Sequence, residues 1–197
     1  MFKGIIYNMG IIVEVLKKSE GIRIKICCDD LLDIKEGDSI AVDGVCLTLT
    51  KIEDRFLFFD IMNETVSLTK FKDVKKNEKV NIERSLKLGD TIDGHFVSGH
   101  VDCVGTISEI KVDGFAKIIT IIADDSCLKQ IVYKGSVALN GISLTIININ
   151  DKSFSVSIIP KTLELTTFSL LKIGDPINIE VDMFSKYIQK YLENRGL

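Results

Sequence analysis

The two histidines of the chain, His95 and His100, lie in one ten-residue segment that runs from Asp93 to Asp102. Imidazole is the side chain best suited to proton transfer near neutral pH, so both residues are candidates for acid–base chemistry. Five positions apart in an extended segment, they point to opposite faces, which argues against a shared metal ion. We expect no metal site and interpret His95 as a structural hydrogen-bonding residue. For His100, structural and functional roles both stay open.

A thiol and a hydroxyl form the second candidate, because they occupy the same place in a repeated motif. Gly44-Val45-Cys46-Leu47-Thr48 is matched by Gly141-Ile142-Ser143-Leu144-Thr145. The threonine two residues beyond the thiol or hydroxyl falls on the same face of a strand. Such a polar pair could hydrogen-bond the edge of a planar heterocycle. The alternative is that Cys46 and Ser143 are small buried residues and that the threonines serve only the strand.

Both motifs belong to an internal duplication. Residues 40–49 match 137–146, and 80–83 match 177–180 at the same offset, while the opening Phe2-Lys3-Gly4-Ile5 is matched by Val97-Ser98-Gly99-His100. A unit this long predicts a duplicated domain and not a solenoid. We predict a first domain at 1–94, a second at 95–182 and a tail at 183–197. Two ligand sites are the favoured reason for the duplication, and a larger stable body is the alternative.

Apolar residues alternate with polar ones along short segments, which is typical of strands. We predict strands at 9–16, 22–26, 39–42, 46–52, 56–62 and 80–83, and at 101–111, 115–123, 136–139, 143–149, 153–159 and 177–181. Helical segments are expected at 63–69, where Asn63 begins a capped turn, at 126–133 and from Pro160. The fold class is therefore all-β, with two similar six-stranded antiparallel, Greek-key-like closed barrels. A C-terminal amphipathic helix presents Phe184, Tyr187, Ile188, Tyr191 and Leu192 on one face.

Composition limits the kind of partner. The net charge is −3 and the lysines are scattered among acids, so nucleic acid is not an expected partner. No stretch approaches the ~20 apolar residues of a membrane span. The five cysteines show neither zinc spacing nor an even disulfide framework, which fits a reducing compartment. We expect a cytoplasmic protein whose partner is a small molecule.

The quoted motifs, together with Gly94-His95-Phe96-Val97-Ser98-Gly99-His100-Val101-Asp102, resemble the riboflavin synthase alpha-chain family over essentially the whole chain. The resemblance implies two 6,7-dimethyl-8-ribityllumazine substrates, transfer of a four-carbon unit between them, and release of riboflavin and a ribitylaminouracil without a cofactor. It also implies a homotrimer joined by its tails, with each productive site between two subunits. Association with a lumazine synthase is left open.

The resemblance also implies site residues, carried over by position. The first pocket would be lined by Gly4, Ile5, Ile6, Ser39, Val45, Cys46, Leu47, Thr48, Asp60, Ile61, Met62, Asn63, Glu64 and Thr65. The second would be lined by Gly99, His100, Val101, Lys134, Ser143, Leu144, Thr145, Ile158, Ile159, Pro160, Lys161, Thr162 and Leu163. Catalysis would fall to His100, Cys46, Ser143, Thr145 and Asp182, with Phe2 capping the site.

Two residues depart from the family pattern. Lys3 stands where the synthases commonly carry threonine, and a lysine there is familiar from lumazine proteins, the non-catalytic antenna relatives. Asp93 replaces a glycine. Lumazine proteins, however, typically lose the histidine that ends the Ser-Gly-His motif and the pocket residues of the second copy, and this chain keeps both. The sequence therefore favours a synthase, with an antenna protein as the alternative.

Overall fold

The computed structural model describes residues 1–29 and 33–196. Six strands form the first barrel: β1 Asn8–Lys18, β2 Gly21–Cys27, β3 Ser39–Val42, β4 Val45–Glu53, β5 Phe56–Met62 and β6 Lys79–Arg84. They close in the order β1-β2-β5-β4-β3-β6, and every neighbouring pair is antiparallel. Helix α1, Asn63–Leu68, and a 3-10 turn at Lys70–Asp73 lead into β6.

The second barrel repeats this arrangement. Its strands are β7 Cys103–Asp113, β8 Ala116–Ile122, β9 Ser136–Leu139, β10 Ile142–Ile149, β11 Ser153–Ile158 and β12 Pro176–Val181, in the equivalent closed order. Helix α2 is Asp125–Leu128, α3 is Pro160–Leu165 followed by a 3-10 turn at Thr167–Ser169, and α4 is Met183–Glu193. The predicted all-β class with two six-stranded barrels and a C-terminal helix is confirmed.

Alternation of side chains along each strand builds the two cores. In β5, Leu57, Phe59 and Ile61 are buried, whereas Asp60 and Met62 are exposed. Each fully buried aliphatic or aromatic side chain of this kind stabilises the folded state by about 1.5–3 kcal/mol relative to exposure. Residues one position apart on a strand therefore have different environments, and this difference decides which of them can face a ligand.

Two local predictions were wrong. The helix expected at 126–133 ends at Leu128, because the Lys134 amide donates to the Ile146 carbonyl oxygen at 3.0 Å and turns the chain into β9. Asn63 does not cap α1: the N-cap is Met62, with no side-chain cap. The Asn63 side-chain amide instead donates from Nδ2 to the carbonyl oxygen of Ser19 at 3.0 Å, so it joins the helix start to the β1–β2 turn.

Asparagines from the closing strands join the two barrels. The Asn81 side-chain amide donates from Nδ2 to the Asn140 carbonyl oxygen at 3.0 Å, and the Asn178 side-chain amide donates from Nδ2 to the Asp43 carbonyl oxygen at 2.9 Å. All four residues are buried, so each unmade hydrogen bond here would cost about 1–3 kcal/mol. The paired contacts relate the barrels by an approximate two-fold axis. Within the described residues, no helix has the length and apolar character needed to cross a membrane.

Candidate active site

The segment that precedes each barrel pairs with the other barrel. Before β1, the Gly4 carbonyl oxygen accepts a 2.8 Å hydrogen bond from the Ser143 amide in the second barrel, and Ile6 is buried in the second core. Before β7, the Gly99 carbonyl oxygen accepts a 2.8 Å hydrogen bond from the Cys46 amide in the first barrel. The two segments are therefore exchanged between the barrels.

This exchange corrects the predicted grouping of the pocket residues. Gly4, Ile5 and Ile6 belong with the second pocket, and the segment 99–101 belongs with the first. The cause is an antiparallel bridge between Phe2 and Val97, with amide-to-carbonyl distances of 2.7 and 3.1 Å. The bridge holds both segments side by side between the barrels, so that each continues onto the far one.

Phe2, which was predicted to cap the site, is buried between the barrels, and its capping role stays a prediction. Its side chain has no exposed area and packs with Ala41, Val97 and Ala138 in a small cluster between the barrels, with Cys46 against that cluster. A residue in this position supports the strand that carries the Cys46 thiol.

A cleft of about 400 Å³ lies on the second barrel, against the exchanged N-terminal segment. Its lining consists of Ile5, Asp93, Gly94, Ser136, Ser143, Leu144, Thr145, Ile147, Ser157, Ile159 and Thr162. Ser143 and Thr145 lie on one face of β10, as their spacing predicted, and Ser136 pairs with Thr145 on the adjacent strand β9. The cleft therefore combines hydroxyl groups with apolar side chains, which suits a flat, polar-edged ring.

His95 lies beside this cleft and makes the hydrogen bonds that its structural interpretation predicted. Its Nδ1 atom lies 2.6 Å from Ser143 Oγ, and its amide donates to the Lys3 carbonyl oxygen at 3.3 Å. Burial lowers the pKa of His95, and the negative charge of Asp182 opposes that shift only partly. A neutral imidazole bonded to a hydroxyl can accept a proton near pH 7.

The equivalent face of the first barrel carries Cys46 and Thr48, with Ser39 paired to Thr48. His100 follows Gly99 at this barrel and is exposed. Here too the thiol and hydroxyls share one face, as the motif predicted. The catalytic roles assigned to His100, Cys46 and Thr145 stay predictions.

Asp60 distinguishes the two pockets. It forms ion pairs with Lys18 and Arg23 at 2.8 Å, and hydrogen bonds from Arg23 above all lower its pKa to about 2. Ser157 occupies the corresponding place in the second barrel, opposite Ile118 on β8. The outer face of the first barrel therefore carries a charged residue where the second barrel carries a neutral one. Asp60 is held by these cations on the outside of the barrel.

Several predicted contact residues instead point into the barrels. Ile6, Val45, Leu47, Ile61 and Ile158 are each no more than 5% exposed and belong to the two hydrophobic cores. Their side chains cannot reach a ligand on the outer face, because successive residues of a strand point to opposite faces. Contacts of these five residues with a ligand could therefore come only from their main chain, and they stay predictions.

The remaining predicted residues lie around the two faces. Asn63, Glu64, Pro160 and Lys161 are exposed at the starts of α1 and α3, Thr65 and Leu163 are half-buried, and Lys161 pairs with Glu164 at 3.0 Å. Lys134 has a left-handed backbone, with φ of 64°, where the first copy has Gly37. A non-glycine residue kept in this strained conformation, with an exposed ammonium group, marks a functional candidate.

The lumazine binding domain model matches residues 3–85 and 98–182, once for each barrel. The chain belongs to this family. A riboflavin synthase from Bacillus subtilis (strain 168) is 40% identical over 193 residues, which cover 98% of this chain and 90% of that protein. The crystal structure of LumP complexed with riboflavin matches with a TM-score of 0.83 at 26% identity, covering 92% of this chain and 99% of the other. LumP complexed with 6,7-dimethyl-8-(1'-D-ribityl) lumazine has the same TM-score and coverage at 24% identity, and shows the family's fold.

Proposed function

We propose that this chain is a riboflavin synthase, which converts two molecules of 6,7-dimethyl-8-ribityllumazine into riboflavin and 5-amino-6-(D-ribitylamino)uracil. The observation that carries the proposal is the pair of equivalent polar faces, Cys46 with Thr48 and Ser143 with Thr145. A reaction between two identical substrates needs two similar binding sites, and a duplicated barrel supplies them. The full-length similarity to a riboflavin synthase supports the same conclusion.

The residues of the second cleft suit the proton transfers of this reaction. The 7-methyl group of one lumazine must lose a proton, and we propose the neutral His95, which is hydrogen-bonded to Ser143, as the group that accepts it. A nucleophile must add at C7 of the other lumazine and later be expelled, for which Cys46 and Ser143 are the candidates. Most of the acceleration would come from holding two rings in contact, so single substitutions should leave residual activity.

The productive site would combine the first barrel of one subunit with the second barrel of another. Helix α4 supports an assembly of this kind, because Phe184, Tyr187, Ile188 and Tyr191 are each more than 55% exposed in the single chain. An isolated helix of this length is marginal in water and needs a partner for its apolar face. A homotrimer joined through α4 is the proposed assembly. A cytoplasmic location and association with a lumazine synthase stay predictions.

The antenna alternative depended on Lys3 and Asp93, and these two residues contact each other. Lys3 Nζ lies 2.8 Å from Asp93 Oδ2. The two departures from the family pattern therefore form an ion pair, and the lysine charge is neutralised at the edge of the second cleft. This pairing weakens the case that Lys3 alone marks a non-catalytic protein.

Incubation of the purified protein with 6,7-dimethyl-8-ribityllumazine tests the proposal, with riboflavin absorbance and chromatography as readouts. A synthase forms one riboflavin from every two lumazines consumed. Binding of lumazine without riboflavin formation would instead support the antenna function.

A further inference from the structure

Two buried glutamates occupy equivalent positions on the closing strands, Glu83 on β6 and Glu180 on β12. They are 6% and 3% exposed. Among the described residues, neither carboxylate forms an ion pair. A buried carboxylate without a paired cation is costly, so its hydrogen bonds must account for its presence.

Each carboxylate binds consecutive backbone amides of an exchanged segment. Glu83 Oε1 accepts from the Lys3 amide at 2.9 Å and the Gly4 amide at 3.2 Å, and Oε2 also accepts from Gly4 at 3.2 Å. Glu180 Oε1 accepts from the Ser98 amide and from Ser98 Oγ, both at 2.6 Å, and Oε2 accepts from the Gly99 amide at 2.9 Å. Both repeats within the chain therefore use the same kind of contact.

The amides held in this way belong to residues that bind the opposite barrel through their carbonyl groups. Gly4 pairs with Ser143, and Gly99 pairs with Cys46. A Cβ atom on Gly4 would lie 2.7 Å from Ser143 Cβ, and one on Gly99 would lie 2.5 Å from Cys46 Cβ. The segments thus lie directly against the two candidate nucleophiles, and a small displacement of either segment would move the wall of a pocket.

We propose that Glu83 is a positioning residue for the second pocket and Glu180 for the first, so that each barrel sets the geometry of the other barrel's ligand site. The inference rests on the proposed function in taking the ligand to be a lumazine or flavin. In addition, the geometries of the two pockets within one chain would depend on each other, although each pocket would form a productive site with a pocket of another subunit.

The burial of Glu83 is consistent with this role. Desolvation raises its pKa to about 7, in spite of the amide donors, of which Lys3 contributes most to lowering it. A neutral apolar residue at this place would avoid that desolvation. A carboxylate has only acceptor oxygens, so both of them can take hydrogen bonds from the adjacent amides, which gives a physical reason for an acid at this buried position.

The test separates the two pockets by filling one at a time in the full-length protein. Thr48→Trp fills the first and Thr145→Trp the second, since both threonines are exposed and occupy equivalent positions. Riboflavin is the probe, and quenching of its fluorescence reports binding. In the Thr48→Trp background, Glu83→Gln should weaken riboflavin binding about tenfold, because one acceptor oxygen is replaced by a donor, while Glu180→Gln changes it by less than about twofold. In the Thr145→Trp background the two effects should be reversed.

A purely structural role makes a different prediction. Either glutamine substitution would then weaken riboflavin binding equally in both backgrounds, in proportion to a lower melting temperature, and that result would overturn the proposal. Loss of binding in the same barrel as the substitution would overturn it as well. Turnover of lumazine by the otherwise unmodified protein is measured separately. A crossed binding pattern without turnover would support the positioning role and reject only the catalytic function.

Discussion

Gly44 and Gly141 meet between the barrels with no space for a side chain on either. A Cβ atom on Gly44 would lie 2.6 Å from the Gly141 amide nitrogen, and one on Gly141 would lie 2.8 Å from the Gly44 amide nitrogen. Both residues have φ of 79°, in the left-handed region. This contact brings the two Gly-x-Cys/Ser-Leu-Thr motifs together at the approximate two-fold axis.

The substitution Gly44→Ala should lower the free energy of unfolding by about 2–4 kcal/mol, since it adds a clash to the backbone strain. Gly37→Ala is the matched control: its φ is 92°, but no atom lies within 4 Å of the added Cβ. The control should lose only about 1 kcal/mol, from the strain. Urea unfolding of both variants measures the difference. Equal losses would mean that the two barrels move apart to relieve the clash at little cost in free energy.

We expect His95→Ala to lower turnover about 100-fold or more, because His95 contacts Ser143 and is the base that we propose for the second cleft. His100→Ala should have the smaller effect, since the His100 side chain is exposed. This order is opposite to the one that the sequence suggested. Steady-state rates with lumazine, measured alongside lumazine affinity, decide between the two orders.

Stability should depend on pH through Glu83. Its pKa is raised from 4.5 to about 7 by burial, so between these values the unfolded chain has released a proton that the folded chain retains. The contribution of Glu83 is therefore fully present below about pH 4.5 and is lost as the pH rises through about 7. The unfolding free energy of Glu83→Gln minus that of the unmodified protein should therefore be larger at pH 8 than at pH 5. Denaturant unfolding at both values checks this, and a difference independent of pH would contradict it.

Ending the chain at Asp182 should give a smaller species that still binds lumazine but forms little riboflavin, because α4 would no longer join subunits. Tyr187→Glu is the control, since Tyr187 is 68% exposed in the single chain and the substitution leaves the helix in place. It should dissociate the assembly without disturbing either barrel. Light scattering and a riboflavin assay test both variants. A truncated protein that remains trimeric, or a fully active monomer, would contradict the expectation.

A fragment of residues 1–93 should fold and form a homodimer that binds lumazine or riboflavin. It lacks the segment around Gly99 that pairs with Cys46, but the equivalent segment around Gly4 of a second copy can take that place. Circular dichroism, light scattering and quenching of riboflavin fluorescence measure folding, size and binding. A folded monomer that binds riboflavin would show that the exchanged segment is not needed.

Much of the fold of this protein could be predicted from its sequence. The duplication is visible because two copies keep the same motifs in register, and the strands are visible because side chains alternate between a core and an outer face. The spacing of Ser143 and Thr145 correctly placed both on one face of β10. The closed six-stranded barrel follows from the same local signals, since closure satisfies the edges of each sheet.

Only the tertiary structure decided which barrel each exchanged segment, before β1 or before β7, pairs with. Because the copies are equivalent, Gly4 could pair with Cys46 or Ser143 by pattern alone, and the Phe2–Val97 bridge selects Ser143. The tertiary structure also decided the partner of His95: Ser143 is 48 residues away, and no local pattern encodes a contact of that range. Motifs define the kind of chemistry that each copy can perform, whereas contacts between copies define which residues perform it together.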